Sequence, residues 1–415
     1  MTECIAVPRV LLYALAAVLL MALAACDVIS IGGGTSVSTG TGGTGSTPAV
    51  GNVQPVTVAG DDALYTSVII CVPGTFTCQT IENVLVDTGS TGLRILASQL
   101  TLPLTYSTDS NNNLIGNCIQ FARSTYQWGP IANVSIQLAG EIASSVPMQI
   151  VGAANFPAVP TGCSAGGRPA QSVEDLAGAN GILGVGLFEQ DCGAACASTA
   201  PPAVYFTCPA TGCVPTSIAL TSQLQNPVWM FPQDNNGLAI VLPAIGAAGA
   251  VSVTGNMIFG IGTETNNALG TVTPLAATSV GDFTTTFNGT AYTASFIDSG
   301  SNGYFFLDAP TTGLAACASN GIAVGFYCPS SPVHFAAINT GLNPNGSGLP
   351  VSTNVAFSIG NALTLLTSGE TAFNNLGGVN SGAFDWGLPF FFGRTVFIGI
   401  EGQISPAGTG PYWAY

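Results

Sequence analysis

The sequence predicts an all-β protein of two lobes around a central cleft, with few short helices. Short apolar or alternating runs are separated by Gly, Pro, Asn and Asp turns along most of the chain, which is the punctuation of strands. No long stretch shows the 3.6-residue periodicity of an amphipathic helix. One plan also occurs once in each half: an apolar run, an acid, a Gly turn and a second apolar run. Val84-Leu85-Val86 precedes Asp87-Thr88-Gly89-Ser90, and Phe296-Ile297 precedes Asp298-Ser299-Gly300-Ser301.

The elements follow in chain order. Arg9 precedes an apolar run, Val10 to Ala25, that is too short and too Ala-rich for a membrane span and suits an export signal. It ends in Leu23-Ala24-Ala25-Cys26, which resembles a bacterial lipoprotein box, in which cleavage leaves a lipidated Cys26 as the first residue. Residues 1–26 are thus expected to be the signal. Residues 27–52, rich in Gly, Ser and Thr, form a flexible tether reaching on the order of 25 Å. Residues 53–240 and 241–415 are expected to be the N-terminal and C-terminal β lobes. Strand-like runs include Ser67–Cys71, Val134–Leu138, Met148–Val151, Ala239–Leu242 and Val355–Ile359, and short helices are expected at Ile218–Leu224 and Thr312–Ser319. A hairpin of Phe283–Phe287 and Tyr292–Ile297, turning at Asn288-Gly289-Thr290, feeds Asp298. Ser67–Cys71 and Gln79–Val86 feed Asp87 in the same way. Each half later carries an apolar, Gly-containing segment, Gly181 to Gly186 in one and Phe384 to Phe390 in the other.

Composition narrows the partners. The 415 residues are 47% hydrophobic and 6% charged, with no Lys, five Arg, one His and a formal net charge of -15. That balance excludes nucleic acid, which needs clustered cations, and suits acidic or harsh surroundings. Of the twelve cysteines, Cys4 lies in the signal and Cys26 at the lipobox. The others, Cys71, Cys78, Cys118, Cys163, Cys192, Cys196, Cys208, Cys213, Cys317 and Cys328, form an even set in an exported chain, which points to disulfides. Cys71 with Cys78 and Cys317 with Cys328 would staple hairpins or loops, and the Cys192 to Cys213 cluster would staple one insertion. Metal binding fits poorly, because Cys-x-x-Cys is absent and the single His334 is remote.

The chain resembles the pepsin-like aspartic proteases over roughly residues 55–402, and it is most similar to bacterial lipoproteins carrying two Asp-Thr/Ser-Gly-Ser motifs. Both Asp motifs match the family's Asp-Thr/Ser-Gly-Ser/Thr signature. Gly181-Ile182-Leu183-Gly184 and Trp386-Gly387-Leu388-Pro389-Phe390-Phe391 look like the strands that thread the two catalytic loops, and Met257 to Gly262 resembles a segment early in the second lobe. The resemblance implies a pepsin-like bilobal fold and an aspartic endopeptidase. Asp87 and Asp298 would share a proton and activate water against a peptide bond. Thr88 and Ser299 would bond across to the opposite loop, Gly89 and Gly300 would permit the tight turns, and Ser90 and Ser301 would hold the outer carboxylate oxygens. A flap is implied at Gln120–Ile131, with Tyr126 and Trp128 as candidates. Arg94 departs from the family, which usually has a Trp there.

Rival chemistries fit less well. Gly181, Gly184 and Gly186 lack the spacing and the Lys of a phosphate loop. A Ser-His-Asp triad would require His334, and no Gly-x-Ser-x-Gly elbow accompanies it. Asp109, Asn111 and Asn113 superficially match a calcium loop, but Leu114 stands where Gly is needed and Gln120 where Glu is needed. No cofactor or metal is expected. The expected partners are an extended peptide or protein substrate and, through the lipid, a membrane; the chain is expected to be an exported envelope monomer. The alternative is a catalytically silent lipoprotein of the same fold that binds peptides or glycans.

Overall fold

The computed structural model describes residues 51–60, 62–121, 125–164, 170, 176–343 and 350–415. The expected signal, Cys26 and almost all of the tether lie outside the described residues. The architecture is nearly all β, as expected.

In the first half, the strand Cys78–Asp87 carries Val84, Leu85 and Val86 into the interior and ends on Asp87. The chain turns and leaves along Thr91–Leu96, every residue of which is buried. Gly181–Val185 runs between these two strands. It is parallel to the first (Val86↔Leu183, Asp87↔Gly184) and antiparallel to the second (Gly92↔Gly184). The second half repeats the plan with Thr290–Ile297, Tyr304–Leu307 and, between them, Asn380–Trp386 (Ile297↔Trp386 parallel, Tyr304↔Trp386 antiparallel). A strand covered on both faces has no solvent side, so these segments read as continuous apolar runs. Backbone closes tightly where each threading strand passes its loop. A Cβ on Gly184 would lie 2.7 Å from Thr91 backbone, and one on Gly387 would lie 2.1 Å from the Gly303 carbonyl oxygen.

One antiparallel sheet joins the halves. Its order is Val53–Ala59, Val253–Phe259, Gly237–Leu242, Arg394–Gly399, Tyr412–Ala414 and Pro274–Ala276. The boundary expected after residue 240 falls inside Gly237–Leu242, within this shared sheet. Val58, Leu238, Ile240, Met257, Ile398 and Trp413 are wholly buried, in a core continuous with both halves. The second half adds an aromatic cluster. Phe306, Phe357, Phe384 and Trp386 pack with ring centroids 5.1–5.3 Å apart, each such pair contributing about 0.5–1.5 kcal/mol beyond area burial.

The two expected helices are corrected. Ile218–Leu224 holds only a 3-10 turn, Leu220–Ser222. Near Thr312–Ser319 the helix is Ala309–Thr312, overlapping the expected span only at Thr312. Asp308 caps its start by accepting from Thr311 N–H at 2.9 Å, and Gly313 ends it at φ 71°. A residue in the left-handed region stops α-helical propagation. Among the described residues, no helix is long and apolar enough to cross a membrane.

All ten cysteines outside the first 50 residues are paired: Cys71–Cys78, Cys118–Cys163, Cys192–Cys196, Cys208–Cys213 and Cys317–Cys328. The Cys192 to Cys213 cluster therefore forms two local loops rather than one staple. Only Cys118–Cys163 closes a long segment, with a sequence separation of 45 against 4 for Cys192–Cys196. Loop-closure entropy assigns the longer loop about 4 kcal/mol and the shorter about 2. A Cys118→Ala/Cys163→Ala variant should therefore lower Tm more than Cys192→Ala/Cys196→Ala, measured by calorimetry at one pH.

Candidate active site

Two buried strand ends bring Asp87 and Asp298 together, at 4% and 1% exposure. Their neighbours fix the spacing through reciprocal hydrogen bonds between the halves. Thr88 Oγ1 donates to the Ile297 carbonyl (3.1 Å) and accepts the Ser299 N–H (2.9 Å). Ser299 Oγ donates to the Val86 carbonyl (2.7 Å) and accepts the Thr88 N–H (3.1 Å). Each hydroxyl thus both donates and accepts across the gap, satisfying backbone groups that have no access to water. Gly89 and Gly300 complete the approach. A Cβ on Gly89 would lie 2.7 Å from the Asp298 carboxyl carbon, and one on Gly300 would lie 2.8 Å from Asp87 Oδ1.

The carboxyls are held by donors of matching kind. Gly89 N–H donates to Asp87 Oδ1 and Gly300 N–H to Asp298 Oδ1, both at 2.8 Å. Ser90 Oγ donates to Asp87 Oδ2 at 2.5 Å, and Ser301 Oγ lies 3.1 Å from Asp298 Oδ2. Asp87 is also hydrogen-bonded to Asp298. Burial first, and then the charge of Asp298, push the Asp87 carboxyl up to about 8, against the Ser90 and Gly89 donors. Two carboxyls in such contact hold one proton between them.

Sequence reasoning missed a third acid. Asp385, 1% exposed, lies on the threading strand, and its Oδ2 is 2.7 Å from Ser301 Oγ. The available signal was a lone acid inside the apolar run Ala383-Phe384-Asp385-Trp386.

Arg94 is also buried, at 1% exposure. Its Nη1 donates to the Thr91 carbonyl (2.8 Å) and its Nη2 reaches Asp191 Oδ2 (3.2 Å). Asp191 further accepts from Asn117 Nδ2 (3.2 Å) and from the Tyr205 hydroxyl. Burial lowers the Arg94 pKa and raises that of Asp191, and each partner opposes the shift of the other. The guanidinium keeps its charge regardless. Beside the Asp87 turn is a cavity of about 270 Å³, lined by Ser90, Arg94, Ile119, Phe188 and Asp191 from the first half and by Glu401 from the second. Glu401 is pushed up by burial first and by the nearby Glu189 charge.

The other sequence candidates lie elsewhere. Gln120–Ile131 contributes to a hairpin, Leu114–Gln120 against Tyr126–Leu138, whose Cys118 and Ile119 line the cavity. Trp128 turns away from that cavity. It packs on Phe156 and Phe206 with ring centroids 5.3 Å apart, and its Nε1 donates to the Pro157 carbonyl at 2.8 Å. Tyr126 joins the same cluster. His334 is exposed on the strand Val333–Thr340 and faces a separate depression with Tyr304 and Arg394.

A family model described as "Protein of unknown function (DUF3443)" matches residues 48–415. No curated protein matches the chain. Among solved structures it is similar to the crystal structure of aspartic proteinase from Irpex lacteus, at 14% identity, covering 87% of this chain and 96% of that one, with a TM-score of 0.49.

The raised Asp87 pKa has a stability consequence. Between the unfolded value near 3.9 and the folded value of about 8, the folded chain retains a proton that the unfolded chain has released. Stability from this group is complete below the lower value and is lost as pH rises through the upper one, at up to about 1.4 kcal/mol per pH unit. Asp62, Asp191 and Glu401, all raised by burial, act in the same direction. Calorimetry should find Tm falling as pH rises from about 4 to about 8, with a shallower fall in Asp87→Asn.

Proposed function

The chain belongs to the family of that model, and from its site we propose that it is an aspartic-type endopeptidase. The observation that carries this reading is the pair of buried, mutually hydrogen-bonded carboxyls held by reciprocal Thr88 and Ser299 bonds. In the mechanism, a water lies between Asp87 and Asp298. The ionised carboxylate takes its proton as the oxygen attacks the peptide carbonyl, while the neutral carboxyl donates to the developing oxyanion. Collapse of the tetrahedral intermediate breaks the C–N bond and returns a proton to the leaving nitrogen. Gly89 and Gly300 N–H groups keep the carboxyls in place, so little reorganisation is needed during the reaction. The substrate is an extended peptide, held in the cleft by strand-like backbone pairing.

The cellular setting belongs to the same proposal. Five disulfides fit an oxidising compartment, and the lipobox would place the lobes outside the cytoplasm, tethered by lipid on Cys26.

Cleavage of an unfolded protein should be seen at acidic pH and be blocked by pepstatin. Asp87→Ala and Asp298→Ala should each lower it on the order of 10³-fold or more. A folded wild-type chain that binds peptides but cuts none at any pH would instead be the silent binding lipoprotein. Separately, globomycin should cause the unprocessed precursor to accumulate; normal maturation in its presence would overturn the lipid anchor.

A further inference from the structure

We propose that the depression carrying Arg394 and His334 is a binding site for a phosphate group. The described residues hold three basic side chains, Arg94, Arg394 and His334. Arg94 is taken by Asp191. The other two line one depression of about 320 Å³, together with Tyr304 and Ser358, and no carboxylate lines it. Among the described residues neither Arg394 nor His334 has an acidic partner. Two basic groups side by side oppose one another's charge, and a bound anion removes that cost. Neither Asp87 nor Asp298 lines the depression, so the site is separate from the candidate active site and independent of the endopeptidase reading.

The donors are in place before any ligand arrives. Arg394 opens the strand Arg394–Gly399. Its Nη1 donates to the Phe390 carbonyl at 2.6 Å, and its guanidinium lies 4.5 Å over the Phe390 ring. These two contacts fix the fork, so a ligand need not order it. Arg394 is also hydrogen-bonded to the Tyr304 hydroxyl. A guanidinium has five donors and no acceptor, so Tyr304 accepts in that bond and most of the fork stays unused. The Tyr304 proton is left over, with no protein acceptor among the described residues. Burial pushes this hydroxyl up to about 12, against the opposing charge of Arg394, so the proton is retained. Tyr304 is only 3% exposed, and a buried donor of this kind calls for an acceptor.

The remaining donors come from the hairpin of Val333–Thr340 and Ser352–Ile359. His334 and Ser358 are directly opposite in its register, so their side chains stand on one face. An imidazole carries an N–H donor in either protonation state, and the serine hydroxyl adds another. Four donor groups thus reach one depression from three separate parts of the fold: this hairpin, the strand Tyr304–Leu307 and the start of Arg394–Gly399. A planar carboxylate is matched by one guanidinium fork, whereas donors spread over several directions suit the oxygens of a tetrahedral phosphate. A lipid headgroup and a free phosphate both supply that group.

His334 is the only histidine of the chain, so isotopic labelling of histidine places a single NMR reporter in the site. In titrations of the full chain at constant pH and ionic strength, inorganic phosphate should shift the imidazole signals saturably, and chloride or acetate should not. Arg394→Gln should raise the apparent Kd about tenfold, through the loss of a charge-assisted contact. Should that variant misfold, Ser358→Asp at a half-buried strand position brings a carboxylate into the depression and should abolish the shift. Dihexanoyl phosphatidic acid distinguishes the sources. Tighter binding than inorganic phosphate assigns a lipid headgroup, equal or weaker binding assigns free phosphate, and the site stands in both cases. No saturable shift of the wild-type chain by phosphate, an equal shift by acetate or chloride, or phosphate binding unchanged in a folded variant overturns the inference.

Discussion

The reciprocal hydrogen bonds of Thr88 and Ser299 are the constraint on which the rest depends. Each residue reaches the strand that carries the other half's acid. Neither turn is complete alone, because the Thr88 and Ser299 N–H groups find their partners across the gap. Once they are made, the carboxyl positions follow with little freedom, since each Gly presses its backbone on the opposite carboxyl. The threading strands serve this end by bracing both loops from behind, and the shared sheet keeps the two halves in register.

Burial of acid is the second theme. A chain of net charge -15 with five arginines cannot give every interior carboxyl a cation. It uses two devices instead. Asp191 is given Arg94, Asn117 and Tyr205, so its charge is spread over several donors. Asp62 and Asp87 have raised pKa values and lean toward the neutral form. The second device makes the fold itself favour acidity.

What could be read from the sequence was what local pattern encodes. The apolar runs, the Gly turns and the paired close cysteines all sit within a few residues of one another, and the all-β architecture follows from them. The short helices were misplaced because a single cap decides them: Gly313 ends one at the first residue of the expected span. The Cys118–Cys163 pairing, the partner of Arg94 and the contact of Asp385 with Ser301 were illegible for a common reason. Each joins residues far apart in the chain, 45, 97 and 84 positions respectively. Arg94 was visible as an oddity, but the charge that explains it lies on a loop with no motif of its own. Trp128 had an aromatic's plausibility near a cleft, and only packing shows it in the interior.

The strand Val53–Ala59 has a consequence for the integrity of the molecule. It pairs on one side with Ala63–Cys71 and on the other with Val253–Phe259, so an early segment is sewn directly to the middle of the chain. The Phe373 N–H to Asp62 bond adds another stitch at 3.1 Å. The lobes are therefore not beads on a string. Pulled apart, each would bare an unpaired sheet edge prone to foreign pairing. A single nick in a loop between them would leave one particle, held by the same ladder that an uncut chain uses.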